Sequence, residues 1–268
     1  MSATAPGRRA DVGVYGGSGL YTLLDDVEEV VVDTPFGPPA APVTIGEVAG
    51  RRVAFLPRHG RDHSLPPHRV PFRANAWALR ELGVRAIYGP CASGSLRAEM
   101  APGDFVVPDQ IVDRTAGRAS SFHDGPDSPP GFSPVDHLSF ADPYDERLRT
   151  VAIAACKEEG VPVHEGGTVV VIEGPRFSTR GESRWYAAQG WEVINMTQMP
   201  EAALAAELGI PYATIALITD YDAGLEGQPG IEPVTMDEVM ATLARNAEQV
   251  RKVLFRAVGD LPDELFAD

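Results

Sequence analysis

Short apolar, β-branched runs alternate with stretches of helical spacing along the chain. Residues 12–15, Val-Gly-Val-Tyr, predict a first strand that runs into glycines. Residues 43–48 and 52–56 predict a hairpin turning at Ala49-Gly50. Further strands are predicted at 85–88, 105–107, 168–172, 193–196 and 212–219. Helices are predicted at 75–82, stopped by Gly83, and at 148–159, stopped by Gly160. A third, at 201–208, follows Pro200, which suits a first helical position, and ends before Gly209. The last helix has the clearest pattern: Met236, Val239, Met240, Leu243, Ala247, Val250, Val253, Leu254, Ala257 and Val258 recur at three- and four-residue steps. Thr235 with Glu238 reads as a capping box at its start, and Thr179 with Glu182 reads as another, opening a helix that runs to Gln189.

Strands alternating with helices predict an α/β fold, a single domain with a central mixed and mostly parallel β-sheet flanked by helices. No internal repeat or shift in composition divides residues 1–268, and the regular pattern covers about 11–258. The stretch 117–134, rich in Gly, Pro, Ser and Asp, reads as a functional or interface loop, because regular elements resume on both sides.

Composition narrows the partners. A chain of 268 residues with 44% hydrophobic and 23% charged positions can bury a core, which excludes disorder, collagen and coiled coil. Lys and Arg total 23 against 38 Asp and Glu, a net charge of −15. Such a surface repels phosphate backbones and anionic lipid, so neither a nucleic acid polymer nor a membrane is expected as a partner. Cys91 and Cys156 lie far apart and outside any Cys-x-x-Cys, which argues against a disulfide scaffold or cysteine zinc site and for a reducing cytoplasm. Residues 1–9 are small, polar and basic with no apolar region after them, so no signal peptide is expected. The longest apolar runs are too short to span a bilayer.

Three places carry candidate chemistry. After the first strand, Gly16-Gly17-Ser18-Gly19-Leu20-Tyr21 can turn sharply and present N–H groups and a hydroxyl to an anion. It lacks the Lys of a Walker loop and the third glycine of a dinucleotide fingerprint, and a plain tight turn is the alternative. Arg58-His59-Gly60-Arg61-Asp62-His63, with His68-Arg69, forms a positive island at the C-terminal end of a strand, the edge where open α/β sheets bind ligands. An arginine fork suits phosphate, and a histidine can add a donor. A metal held by His59, His63 and His68 is an alternative, although the spacing matches no ligand pattern. Finally, the apolar run 212–218 closes on Thr219-Asp220-Tyr221-Asp222, two carboxylates at i and i+2 on one side of a strand end. Charges there are costly unless they have partners or a task. Recognition of a purine N7 and 6-amino group is one such task, and an acidic turn or a cation site is the alternative.

Together these segments resemble the trimeric purine nucleoside phosphorylase family, and within it the S-methyl-5′-thioadenosine phosphorylase branch. The resemblance rests on Gly16-Gly17-Ser18-Gly19-Leu20, Asp33-Thr34-Pro35-Phe36-Gly37, Arg58-His59-Gly60, Gly94-Ser95-Leu96 and Pro102-Gly103-Asp104. To these it adds Ile172-Glu173-Gly174-Pro175-Arg176-Phe177-Ser178, Asn195-Met196-Thr197 and Thr219-Asp220-Tyr221-Asp222, all in family order over nearly the whole chain. It implies phosphorolysis of S-methyl-5′-thioadenosine to adenine and 5-methylthioribose-1-phosphate. The alternatives are another 5′-substituted adenosine or a broader purine nucleoside substrate. It implies phosphate contacts at Ser18, Arg58, His59 and Thr197, and at Cys91 and Ala92, where the family has a Thr-Ala pair. A thiol is a poor donor in the place of that hydroxyl. Met196 is implied under the ribose, Ser178, Asp220, Tyr221 and Asp222 at the base, and Met236, Val239, Met240 and His63 around the 5′ substituent. Asp220 is implied as the general acid toward N7. His137 is implied to reach in from a neighbouring subunit of a homotrimer, which can pair into a hexamer. No metal and no organic cofactor is implied, with inorganic phosphate as co-substrate.

Overall fold

Two mixed β-sheets, with helices against their faces, carry the fold. The structure, a computed structural model, describes residues 10–17, 27–227, 231 and 234–267. In chain order the strands are β1 (Val12–Gly16), β2 (Glu28–Val30), β3 (Val43–Val48), β4 (Arg51–Pro57), β5 (Ala86–Tyr88), β6 (Cys91–Ser95), β7 (Phe105–Val106), β8 (Gln110–Arg114), β9 (Val163–His164), β10 (Thr168–Ile172), β11 (Val193–Asn195), β12 (Tyr212–Ala213) and β13 (Ala216–Tyr221). The α-helices are α1 (Phe72–Glu81), α2 (Glu146–Glu158), α3 (Arg180–Ala188), α4 (Gln198–Glu207) and α5 (Met236–Gly259). Among the described residues, no helix is long and apolar enough to cross a membrane.

One sheet has the order β12-β5-β1-β4-β3-β2 and the other β8-β10-β11-β6-β13-β7-β9. In the first sheet, β1 lies between β4 and β5, parallel to both, and is buried along its length. That is why its sequence is a continuous apolar run rather than an alternating one. Val12 and Val14 pack on one side with Leu148, Ala152, Val253 and Leu254 of α2 and α5. Tyr15 packs on the other with Ala78 and Leu79 of α1 and Ala202 and Ala205 of α4. The strand residues therefore alternate between two helical layers.

The expected central sheet is thus two described sheets, and the expected strand 212–219 is split between them. The chain runs from the first sheet directly into the second twice, through Gly89-Pro90 and through Thr214-Ile215, and returns between them through α4. Hydrogen bonds bridge the change: Gly89 N donates to Ala213 O (2.9 Å) and Cys91 N to Ile215 O (3.2 Å). At the bend the Thr214 hydroxyl donates to Gly89 O (2.7 Å). A side chain thus takes a carbonyl there, which an apolar pattern does not announce.

Strands β2, β6, β8 and β9 have no counterpart in the sequence reading. Cys-Ala-Ser-Gly-Ser in β6 has low strand propensity and is a strand because β13 and β11 pair with it on both sides. The reciprocal capping box at Thr179 and Glu182 is present. At α5 only half of one forms: Thr235 Oγ1 accepts from Glu238 N (3.3 Å) while its hydroxyl donates to the Glu238 carboxylate (3.1 Å). In α4, Met199 keeps extended dihedrals, so the regular helix begins at Pro200.

Candidate active site

The C-terminal ends of β1, β4, β10, β11 and β13 meet β6 around a cavity of about 350 Å³. Strand ends place side chains there because the polypeptide leaves each strand by a turn that opens on the same edge. The lining includes Arg58, His59, His63, Cys91, Ala92, Ser178, Met196, Thr197, Asp220, Asp222, Met236 and Val239. The last turns of distant strands and the first turn of α5 are thereby brought together. Met236 is 46% exposed, which puts it at the cavity's opening.

At one end lies Arg58, fully buried. Its Nε donates to Glu201 Oε1 (2.6 Å) and its Nη2 to Glu201 Oε2 (3.0 Å), a bidentate pair. Nη1 donates to Pro90 O (2.8 Å), and Tyr212 OH donates to Glu201 Oε2 (3.1 Å). Burial works against the Arg58 charge and Glu201 more than restores it, so the guanidinium pKa sits above its ordinary value. The sequence reading gives this fork to phosphate, whereas the structure gives it to Glu201, leaving one N–H on each terminal nitrogen. Gly17 makes the close approach possible: a Cβ there would stand 2.8 Å from Arg58 Nη1 and 3.1 Å from Pro90 O. Ser18 lies outside the described residues.

His59 follows. Its Nδ1 is 2.8 Å from Leu65 O, and a carbonyl can only accept, so Nδ1 carries the hydrogen. Burial, helped by the Arg58 charge, lowers its pKa to about 3, so the ring is neutral and Nε2 is an acceptor. The Nδ1 donor is thus engaged by the backbone rather than free for an anion. Its ring stacks on His63 at 4.4 Å between centroids, and burial lowers the His63 pKa as well. Stacked rings present faces to each other rather than converging lone pairs. Among the described residues, no group of three or more His, Cys, Asp or Glu is arranged to hold a metal ion.

Thr197 stands in the N-cap place of α4, and its hydroxyl makes no capping hydrogen bond. Cys91 is buried, with Sγ 3.2 Å from Gln198 Nε2 and 3.4 Å from Asn195 Nδ2, both of which donate to it. The thiol is therefore knitted into the wall as an acceptor of amide hydrogens.

At the other end are the two acids. Thr219 Oγ1 donates to Asp220 Oδ2 (2.7 Å). Burial pushes the Asp220 carboxyl up to about 6, against that hydrogen bond, and the Asp222 charge adds to the rise. Burial also raises the Asp222 carboxyl. The Ser178 and Ser183 hydroxyls lie close enough to temper that rise, yet neither Ser178 Oγ nor Asp222 Oδ2 has a partner of good hydrogen-bond geometry. Gly94 separates the acids from the facing strand: a Cβ there would stand 3.1 Å from both Asp220 Oδ1 and Ile194 Cγ2, and 3.5 Å from Asp222 Cβ.

Three of the expected residues are not part of this cavity. Tyr221 turns away and donates its hydroxyl to Ala98 O (3.3 Å). Met240, the residue after the lining Val239, packs against the core beneath α5. His137 lies in an exposed stretch with Val135 and Leu138, 68% and 42% exposed, on the long loop. Sequence reasoning missed Glu201, Asn195 and Gln198, whose partners lie 143, 104 and 107 residues away. It also missed Arg118, whose guanidinium reaches the backbone of Met196 at 2.8 Å. Asn195 has a signal in the Asn195-Met196-Thr197 motif, although the motif assigns it no role; Glu201 and Gln198 show only as polar residues in a buried segment, and Arg118, on a largely exposed loop, shows no signal.

The comparisons with known proteins agree on one family. A profile of the phosphorylase superfamily matches residues 11–259. The chain is 56% identical over 256 residues to the purine nucleoside phosphorylase of Streptomyces coelicolor, covering 95% of this chain and 90% of that protein. It is 51% identical over 249 residues to the S-methyl-5′-thioadenosine phosphorylase of Mycolicibacterium smegmatis, covering 92% and 90%. Among solved structures, methylthioadenosine phosphorylase of Schistosoma mansoni in complex with adenine superimposes with a TM-score of 0.87 at 38% identity, covering 93% of this chain and 91% of that one.

Proposed function

The chain belongs to the phosphorylase superfamily, and from that premise we propose that it cleaves S-methyl-5′-thioadenosine with inorganic phosphate, giving adenine and 5-methylthioribose-1-phosphate. The observation that carries the base assignment is Asp220, a carboxyl with a pKa near 6 beside a second acid and the unpartnered Ser178 Oγ. Phosphorolysis builds positive charge on the sugar and negative charge on the departing purine. A carboxylic acid can donate to N7 as the bond breaks, and the acid pair can accept from a 6-amino group.

The phosphate belongs at the opposite end, where the remaining Arg58 N–H groups, the Thr197 hydroxyl and the Ala92 backbone N–H donate. Ser18 remains assigned there by the family pattern. A neutral His59 accepts from the P–OH of hydrogen phosphate, which turns an unprotonated oxygen toward the sugar carbon. Met196 supports the ribose, and Met236, Val239 and His63 surround the 5′ group. A thioether favours such soft, adaptable neighbours. The name of the Streptomyces relative favours a second reading, a broader purine nucleoside phosphorylase. An Asp at 220 argues against it, since an amide would bridge N7 and O6 of a 6-oxopurine better.

We read the chain as one domain acting in the cytoplasm without metal or organic cofactor. We also propose a homotrimer, in which His137 on the exposed stretch 133–139 reaches a neighbour's cavity. A fully active monomer in light scattering would overturn that assembly. The deciding experiment for the function is incubation with methylthioadenosine, following free adenine with and without phosphate. Release only with phosphate is expected. Release without it would make the protein a hydrolase, and no release would remove the substrate.

A further inference from the structure

Arg118 lies on the loop between β8 and α2, and its side chain is only 3% exposed. Its five N–H groups all have acceptors. Nε donates to Glu173 Oε2 (3.1 Å). Nη1 donates to Met196 O (2.8 Å) and Met199 O (2.6 Å). Nη2 donates to Glu173 O (2.7 Å) and Ile172 O (3.5 Å). The Glu173 carboxylate is held in turn by Ala116 N (2.9 Å), and the guanidinium lies over the Phe72 ring at 5.2 Å. No N–H is left for a ligand.

Those acceptors belong to two separate segments. One leaves β10 and carries Phe177 and Ser178 of the cavity wall; the other leaves β11 and carries Met196 and Thr197. The carbonyls lie at or just past the ends of β10 and β11, where the chain leaves the sheet for the cavity wall. A single buried cation collects four of them. We propose that Arg118 is a positioning residue that sets the Met196-Thr197 wall, and with it the ribose and phosphate subsites, without touching substrate. This rests on the phosphorolysis reading above. Asp220 on β13 is outside its direct reach, because none of its hydrogen bonds goes to that strand.

The test is steady-state kinetics of Arg118→Ala and Arg118→Lys, with Tm, adenine inhibition and added guanidinium ion as further readouts. Arg118→Ala should lose about 10²-fold in kcat/KM, the scale of a small misplacement of reacting groups. Its phosphate KM should rise by a larger factor than its adenine inhibition constant. Millimolar guanidinium ion should restore part of the rate. A merely structural role gives the reverse: lower kcat with unchanged KM values, and further loss with guanidinium. That pattern, or wild-type kinetics, overturns the proposal. Should the alanine variant fail to fold, Arg118→Lys decides, since it keeps the charge with three donors for five acceptors. A wild-type phosphate KM in the folded lysine variant overturns the clamp. Wild-type protein that releases no adenine with phosphate overturns the functional reading and the clamp together, whereas an active wild type beside an unaltered lysine variant overturns the clamp alone.

Discussion

At the Arg58 end of the cavity, a guanidinium, a carboxylate and a tyrosine hydroxyl close hydrogen bonds among themselves. At the Asp220 end, Ser178 Oγ and Asp222 Oδ2 are buried and have no partner. Both ends hold acids, yet Glu201 is met on both carboxylate oxygens by Arg58 and Tyr212, whereas Asp222 Oδ2 is met by none. A buried polar atom left without a partner costs about 1–3 kcal/mol. The first end is therefore built as a fixed floor, and the second holds unmet hydrogen-bonding capacity that a bound base can satisfy.

The sharpest way to break this contrast is at the acids. Asp220→Asn should lower kcat/KM for methylthioadenosine by about 10²- to 10⁴-fold, the usual worth of a general acid. Methylthioinosine should lose less or gain, because an amide can bridge N7 and O6. In the wild type, kcat/KM should fall as pH rises through about 6, where the Asp220 proton is lost, and that limb should vanish in the variant. Stability carries the same sign. A carboxyl raised from 3.8 to about 6 favours the fold at low pH, and this contribution disappears as pH rises through the raised value. A parallel drop of a few-fold for both substrates would put the acid elsewhere.

At the floor, Arg58→Ala leaves the Glu201 charge buried and unpaired, and about 3–5 kcal/mol of stability should go with it, read by denaturant unfolding. The phosphate KM should rise as well. Replacing both partners by Met should return most of the stability but not the phosphate affinity, which separates the two roles. A phosphate KM untouched by Arg58→Ala takes that residue out of the anion site.

Ser178→Ala should be the mildest change. Removing a hydroxyl that has no partner should leave the free protein's stability within about 1 kcal/mol, while the nucleoside KM rises. A larger loss of stability would show that the hydroxyl is already bonded, and the two ends would then differ less than described.

What the sequence discloses follows the same division. Helix α5 and strands β1, β3, β4 and β10 can be read from periodicity, because each packs one continuous face or lies between parallel neighbours, and α3 can be read from its capping box. The Asp220-Tyr221-Asp222 motif can be read because charge interrupts an apolar run. Glu201 could not be, since at the start of a helix it resembles any solvated first-turn acid. Only the arrival of Arg58 from 143 residues away buries it. The same holds for β6, whose strand character comes from its neighbours. The position of Cys91 signals a weak phosphate donor, but its two amide partners are assembled by the fold.

The pairing of Arg58 with Glu201 also bears on how fast an anion arrives. A chain of charge −15 repels a dianion at long range, and a cation cancelled by its own carboxylate at 2.6 Å projects little attraction outward. Capture depends on collisions that bring the ion within a Debye length, about 8 Å at physiological ionic strength. Inert salt screens the repulsion. The association rate of phosphate should accordingly rise with ionic strength, opposite in sign to a protein that draws its anions down an exposed basic funnel.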